Sequence, residues 1–211
     1  MERTNKNLIA VVGATGQQGG AVVRALQANK QFKVRALTRN PDEHPQVGDE
    51  IIKADLNRPE TLKPAFEGAH GVFLVTNFWK GGTDEVDQAT AAVRAAKDAG
   101  VKHFVWSTLP DVEAISGGKF YVPHFTGKAK VDRIVKEAGF ANHTFVIAPF
   151  YYQNLIGVLL RKNRLTDPWA GLSRLIRLCG AFTWATSRNL VTSWPEHSRT
   201  PIRPAMASIC P

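Results

Sequence analysis

Gly13-Ala14-Thr15-Gly16-Gln17-Gln18-Gly19 sets three glycines at three-residue spacing between an apolar run and an amphipathic one. Residues 8–12 before it read as a buried strand, and across 18–29 Val22, Val23 and Leu26 fall on one helical face. A glycine-rich turn from strand to helix makes a cradle for a pyrophosphate. Glycines let the backbone approach the anion, while the free N–H groups and positive dipole end of the helix stabilise its charge. The strand–turn–helix context is what a glycine pattern needs before it counts as a dinucleotide site. A tight turn that merely packs a helix onto a strand is the plainer reading, and it leaves the spacing unexplained. Gly13, Thr15, Gly16, Gln17, Gln18 and Gly19 are therefore candidate cofactor-binding residues.

Cofactor choice is written at the end of the second strand, where an acid accepts from the ribose 2′-hydroxyl of NAD and an arginine accommodates the 2′-phosphate of NADP. The chain places Leu37-Thr38-Arg39-Asn40 there. A guanidinium suits a phosphate because its planar fork donates two hydrogen bonds. Arg39 thus favours NADP, with NAD left open by Asp42 and Glu43 shortly after; a solvent-exposed arginine is the ordinary alternative. Asp55, after the third strand, can accept from an adenine amino group or simply hold a turn with Asn57 and Pro59 nearby. Thr76 and Asn77 sit at the C-terminal end of the fourth strand and Ser107-Thr108-Leu109 at that of the fifth, the strand ends outside which ligands bind in open parallel sheets. Phe78 and Trp79 there either wall the nicotinamide or a substrate, or pack as loop aromatics on the lid of the core.

These positions need a frame of alternating strands and helices. Strands are expected over 32–38, 50–54, 71–76, 102–107 and 142–148, with helices over 59–67, 84–99 and 123–137. Pro123 suits a first helical turn, while Gly100 and Gly139 suit helix ends. Strands separated by helices of this length pair in parallel through right-handed crossovers. The expected fold is α/β, a doubly wound parallel sheet over residues 1–158.

At 211 residues, 44% hydrophobic and 21% charged, the chain has the composition of a soluble globular protein. No run approaches the ~18 apolar residues of a membrane span, and the first apolar run is too short for a signal peptide. Cys179 and Cys210 form no metal or redox motif, so no metal and a reducing, cytoplasmic setting are expected. The net charge of +9 is uneven: residues 159–211 hold eight Lys or Arg against two acids, Asp167 and Glu196. A nearly balanced domain with a basic tail argues against a nucleic-acid-binding face.

Residues 7–158 resemble the NmrA-like family, an atypical branch of the short-chain dehydrogenase/reductase superfamily. The resemblance rests on the Gly13–Gly19 block, Leu37-Thr38-Arg39, Ala54-Asp55-Leu56, Gly100-Val101-Lys102-His103-Phe104-Val105-Trp106-Ser107, Val122-Pro123-His124-Phe125 with Lys128, and Phe150-Tyr151-Tyr152-Gln153-Asn154. It implies a Rossmann sheet of six or more strands that binds NADP(H) or NAD, and it adds Lys128, Tyr152 and Asn154 to the cofactor-binding candidates. Members are best known as redox-sensing regulators with little or no turnover, which implies a regulatory protein partner; some relatives are reductases. Active reductases of the superfamily use Tyr-x-x-x-Lys on one helical face, the tyrosine as acid and the lysine on the ribose. Here the spacing is His124-x-x-x-Lys128, so Lys128 and His124 are the catalytic candidates and the usual acid is missing. Histidine also transfers protons, so the replacement alone does not abolish catalysis. A plain surface lysine is the alternative for Lys128.

The family continues past the Tyr-Tyr-Gln-Asn block with a C-terminal lobe that residues 159–211 do not resemble. Arginine outnumbers lysine there seven to one, and three of the five tryptophans fall in it. The segment is expected to be an out-of-frame reading of a GC-rich gene or disordered, with a divergent extension as the alternative. Three functions follow: a redox-sensing NADP(H)-binding regulator, an NADPH-dependent reductase of quinone, azo or carbonyl compounds, or an inactive product with a Rossmann core.

Overall fold

In the computed structural model, residues 6–79 and 84–151 are described, so expectations for Tyr152, Asn154 and the 159–211 segment lie outside the described residues. The elements run β1 (Asn7–Val12), α1 (Gln17–Asn29), β2 (Phe32–Thr38), β3 (Glu50–Lys53), α2 (Leu62–Phe66), β4 (Gly71–Leu74), α3 (Glu85–Asp98), β5 (His103–Thr108), α4 (Val112–Ile115), α5 (Pro123–Glu137) and β6 (Asn142–Ile147). All six strands are parallel in the order β3-β2-β1-β4-β5-β6. This is the doubly wound Rossmann order, and the direction of winding reverses between β1 and β4, where a crevice opens at the C-terminal strand ends.

Alternation along the strands divides the core. Ile9 and Val11 of β1 join Val22, Val23 and Leu26 of α1, with Val34, Ala36, Phe73 and Val105. Ala10 and Val12 point to the opposite face, where Phe66, Ala92, Val93, Val131 and Val135 of α2, α3 and α5 pack with Phe104 and Trp106. Sheets covered on both faces read as continuous apolar runs, which is why the 8–12 run is so uniform. β5 is buried at all six positions, while no residue of the edge strand β6 is fully buried.

Several element ends differ from the sequence reading. The expected helix over 59–67 is a 3-10 turn, Pro59–Thr61, that runs into α2. Pro64 is tolerated there because the first turn of a helix has no intrahelical use for its N–H. The fourth strand stops at Leu74, since its ladder to β5 ends at the Leu74–Trp106 pair, and this leaves Val75 and Thr76 at the crevice. Asp84 is a cap and not a helical residue; its side chain accepts from the Val86 N–H at 2.7 Å. The short α4 and a 3-10 turn at Pro41–Glu43 had no periodic signal to reveal them. Among the described residues, no helix is long and apolar enough to cross a membrane.

Candidate functional site

The crevice is a cleft of about 1050 Å³ with the glycine turn in its wall. Gly13 sits at φ +73°, a left-handed conformation that costs other residues strain. The Gly16 N–H closes the turn onto the Gly13 carbonyl at 2.9 Å, and Gly16 then enters α1 with no side-chain cap and no acid in the first turn. The opening N–H groups of α1 thus have no competing side-chain acceptor, as an anion site requires. Gly19 has a packing role: a Cβ there would lie 2.2 Å from the Gly13 carbonyl oxygen. Thr15, Gly16 and Gln17 are exposed along the cleft, whereas Gln18 is buried. The Gln18 Oε1 accepts from the Ser107 hydroxyl at 3.0 Å and from the Tyr151 hydroxyl at 2.9 Å, and its buried Nε2 has no partner among the described residues.

Arg39 is exposed in the wall at the β2 end, and no ion pair involves it among the described residues. The acid nearest in sequence on the wall, Glu43, accepts from the Asn40 side chain at 2.9 Å. Asp55 lines the cleft and also holds its own turn, accepting from the Asn57 N–H at 3.0 Å while its N–H donates to Thr61 Oγ1 at 3.1 Å. Asp55 thus holds its own turn at the cleft wall, and its carboxylate has further acceptor positions beyond the bond from Asn57.

On the β4–β5 side the wall carries Thr76, Asn77, His124 and Lys128. Lys128 is 8% exposed, so it is not a surface lysine. Its Nζ lies 2.7 Å from Glu85 Oε1, 2.9 Å from Thr76 Oγ1 and 3.3 Å from the Thr76 carbonyl, with the Trp106 ring centroid at 4.9 Å. The Thr76 hydroxyl donates to the same Glu85 oxygen at 2.5 Å, which fixes the carboxylate. Burial pushes the Lys128 amine below its ordinary pKa, and the adjoining Glu85 carboxylate opposes that shift.

One turn earlier on α5, His124 packs among Phe78, Trp79 and Phe125 at ring separations of 5.5, 5.3 and 4.8 Å. Asn77 holds this loop by accepting from the Trp79 N–H at 3.0 Å. Tyr121 lies before α5 and is 62% exposed, so it does not stand in the histidine's place. Tyr151, the one tyrosine of the cleft wall among the described residues, gives its hydroxyl to Gln18, and burial raises its pKa.

The sequence profile of the NmrA-like family matches residues 5–173. The chain belongs to the NmrA-like family. This NmrA-like chain is 38% identical over 161 residues to the oxidoreductase FrzB of Cladobotryum sp, covering 71% of this chain and 48% of that protein. Among solved structures it is similar to the negative transcriptional regulator NmrA in complex with NADP, with 31% identity and a TM-score of 0.62 over 71% of this chain and 47% of that one. It is also similar to the Citrobacter sp. triphenylmethane reductase complexed with NADP(H), with 28% identity and a TM-score of 0.62 over 72% and 53%. The chain spans about half the length of the curated relatives it matches.

Sequence reasoning missed Glu85, whose position in the first turn of α3 reads as an ordinary helix-start acid. It also missed His44 and Gln88 in the wall; Gln88 donates to Asn57 Oδ1 at 2.6 Å. Nothing in periodicity points to either.

Proposed function

We propose that this NmrA-like chain binds NADP(H) and acts as a regulatory, redox-sensing protein with little or no turnover. The observation that carries the reading is the one cleft whose wall joins the glycine turn, Arg39, Thr76 and Lys128, with Glu85 paired to Lys128 behind the wall. The residues fit the group: the α1 N-terminus and Gly13–Gly19 turn would hold the pyrophosphate, and Arg39 the 2′-phosphate. Asp55 would meet the adenine, while Thr76, Asn77 and Lys128 would hold the nicotinamide half. The cofactor, when bound, supplies hydride chemistry. NADP is preferred to NAD because Arg39 has no paired acid among the described residues and Glu43 is engaged by Asn40. The low turnover is read from proton supply among the described residues: His124, a less usual acid, takes the place of the tyrosine, and the Tyr151 hydroxyl is already donated to Gln18.

A reductase is the second reading, favoured by the exposed Phe78 and Trp79 beside His124, which would stack on a flat acceptor. NADPH oxidation with quinone, azo, triphenylmethane and carbonyl compounds separates the two. The regulatory reading expects no acceptor to be turned over faster than background. Steady consumption above about 1 s⁻¹, the low end of ordinary enzymes, makes the chain a reductase.

A further inference from the structure

Lys128 and Glu85 form a buried pair of zero net formal charge on the β4–β5 side of the cleft. The order of the wall fixes which half of a dinucleotide reaches it. With the pyrophosphate on the Gly13–Gly19 turn and Arg39 at the β2 end, the adenosine half runs over β2 and β3. The nicotinamide half then runs over β4 and β5, toward Thr76 and Lys128. Its ring is a cation when oxidised and neutral when reduced, so a charge beside it weighs differently on the two forms.

We propose that Glu85, by neutralising the Lys128 ammonium, sets the relative affinity of the cleft for oxidised and reduced dinucleotide. The inference rests on the dinucleotide reading and adds a redox-selecting residue to it. An ammonium has three hydrogens, and Glu85 Oε1, Thr76 Oγ1 and the Thr76 carbonyl account for all three. The carbonyl contact is the longest, at 3.3 Å, so a ribose hydroxyl replaces it without breaking the ion pair. Among the described residues the second carboxylate oxygen of Glu85 is buried with no partner, and Lys128 is the cation that balances this acid. Without the carboxylate, an ammonium that keeps its proton would repel the oxidised ring and leave the reduced one untouched, so the comparison belongs at the acid end of the protein's stable range, where the amine, no longer held charged by Glu85, is most fully protonated. A low-dielectric wall strengthens that repulsion.

Calorimetric titration of NADP⁺ and NADPH into the wild type, Glu85→Gln, Lys128→Met and the double variant tests this, with thermal unfolding checked for each. The NADPH-to-NADP⁺ affinity ratio should rise roughly tenfold or more in E85Q, the scale of one unscreened charge within about 12 Å at an effective dielectric of 20. It should fall in K128M and return to within about threefold of wild type in the double variant, as coupled charges require. A merely structural Glu85 would weaken both forms together, and an unchanged ratio in the folded variants overturns the proposal. An equal shift in E85Q and the double variant also overturns it, because the effect would not pass through Lys128. If E85Q does not fold, K128M and the double variant carry the same test. A wild type that binds neither form removes the dinucleotide reading itself, a different failure.

Discussion

The Tyr151 hydroxyl donates to Gln18 Oε1 at 2.9 Å across 133 residues of chain. This bond ties the first turn of α1 to the segment after β6, and Ser107 at the end of β5 shares the same acceptor. Tyr151→Phe should cost about 1 kcal/mol of stability, since one of two donors to the amide is lost. Gln18→Ala should cost about 2 kcal/mol, because a buried hydroxyl, Ser107, and a half-buried one, Tyr151, then lose their acceptor. Urea denaturation of both variants checks the order; a larger loss in Y151F would contradict it.

Gly19→Ala and Gly127→Ala should diverge, although both place a methyl on a helix. The Gly19 Cβ would meet backbone at 2.2 Å, whereas at Gly127 its nearest neighbour is a Val86 methyl at 3.7 Å. Alanine at 127 should be neutral or stabilising by up to about 1 kcal/mol, the ordinary helix preference. Alanine at 19 must displace the turn, so both melting temperature and dinucleotide affinity should fall. A G19A protein with wild-type affinity would show that the turn does not bind the cofactor.

Acid should weaken the fold through His103. This side chain is 6% exposed, its Nε2 lies 2.9 Å from Thr144 Oγ1, and burial, reinforced by His70 and His143, lowers its pKa from 6.5 to about 4. A depressed pKa in the folded state means that the unfolded chain binds the proton more readily. The contribution is therefore complete above about pH 6.5 and is lost as pH falls toward 4. Between pH 7.5 and 5 the loss should be about 2 kcal/mol. His103→Gln should show a correspondingly smaller fall in denaturant titrations over the same interval; an equal fall in both proteins would assign the effect elsewhere.

Arg39→Glu should weaken NADP⁺ by roughly 10- to 100-fold, the loss of a charge-assisted bond with added repulsion, and should leave NAD⁺ nearly unchanged. Parallel titrations of the two nucleotides check it. Equal losses would show that Arg39 does not meet the 2′-phosphate.

The sheet was legible because its signals are local. The uniform 8–12 run, the glycine turn and the alanine-rich α3 each carry their pattern within a dozen residues, and parallel order follows from their alternation. Thr76 and Lys128 were legible separately, one at a strand end and one by its spacing from His124. Glu85, which joins them, was not, because tertiary contacts bring it there and its own neighbourhood reads as a helix start. Gln18 shows the same limit in reverse. Its place in the turn made it a cofactor-binding candidate, but no local pattern shows that its side chain turns inward to Ser107 and Tyr151. Short capped turns such as Pro41–Glu43 have too few residues to show a period at all.

Calorimetric titration of the chain with NADP⁺ and NADPH tests the central claim most directly. The account predicts binding of at least one form at micromolar concentration or below, a free energy of about 8 kcal/mol or more. Absence of heat from both forms up to millimolar nucleotide, in a protein whose unfolding is cooperative, would contradict it.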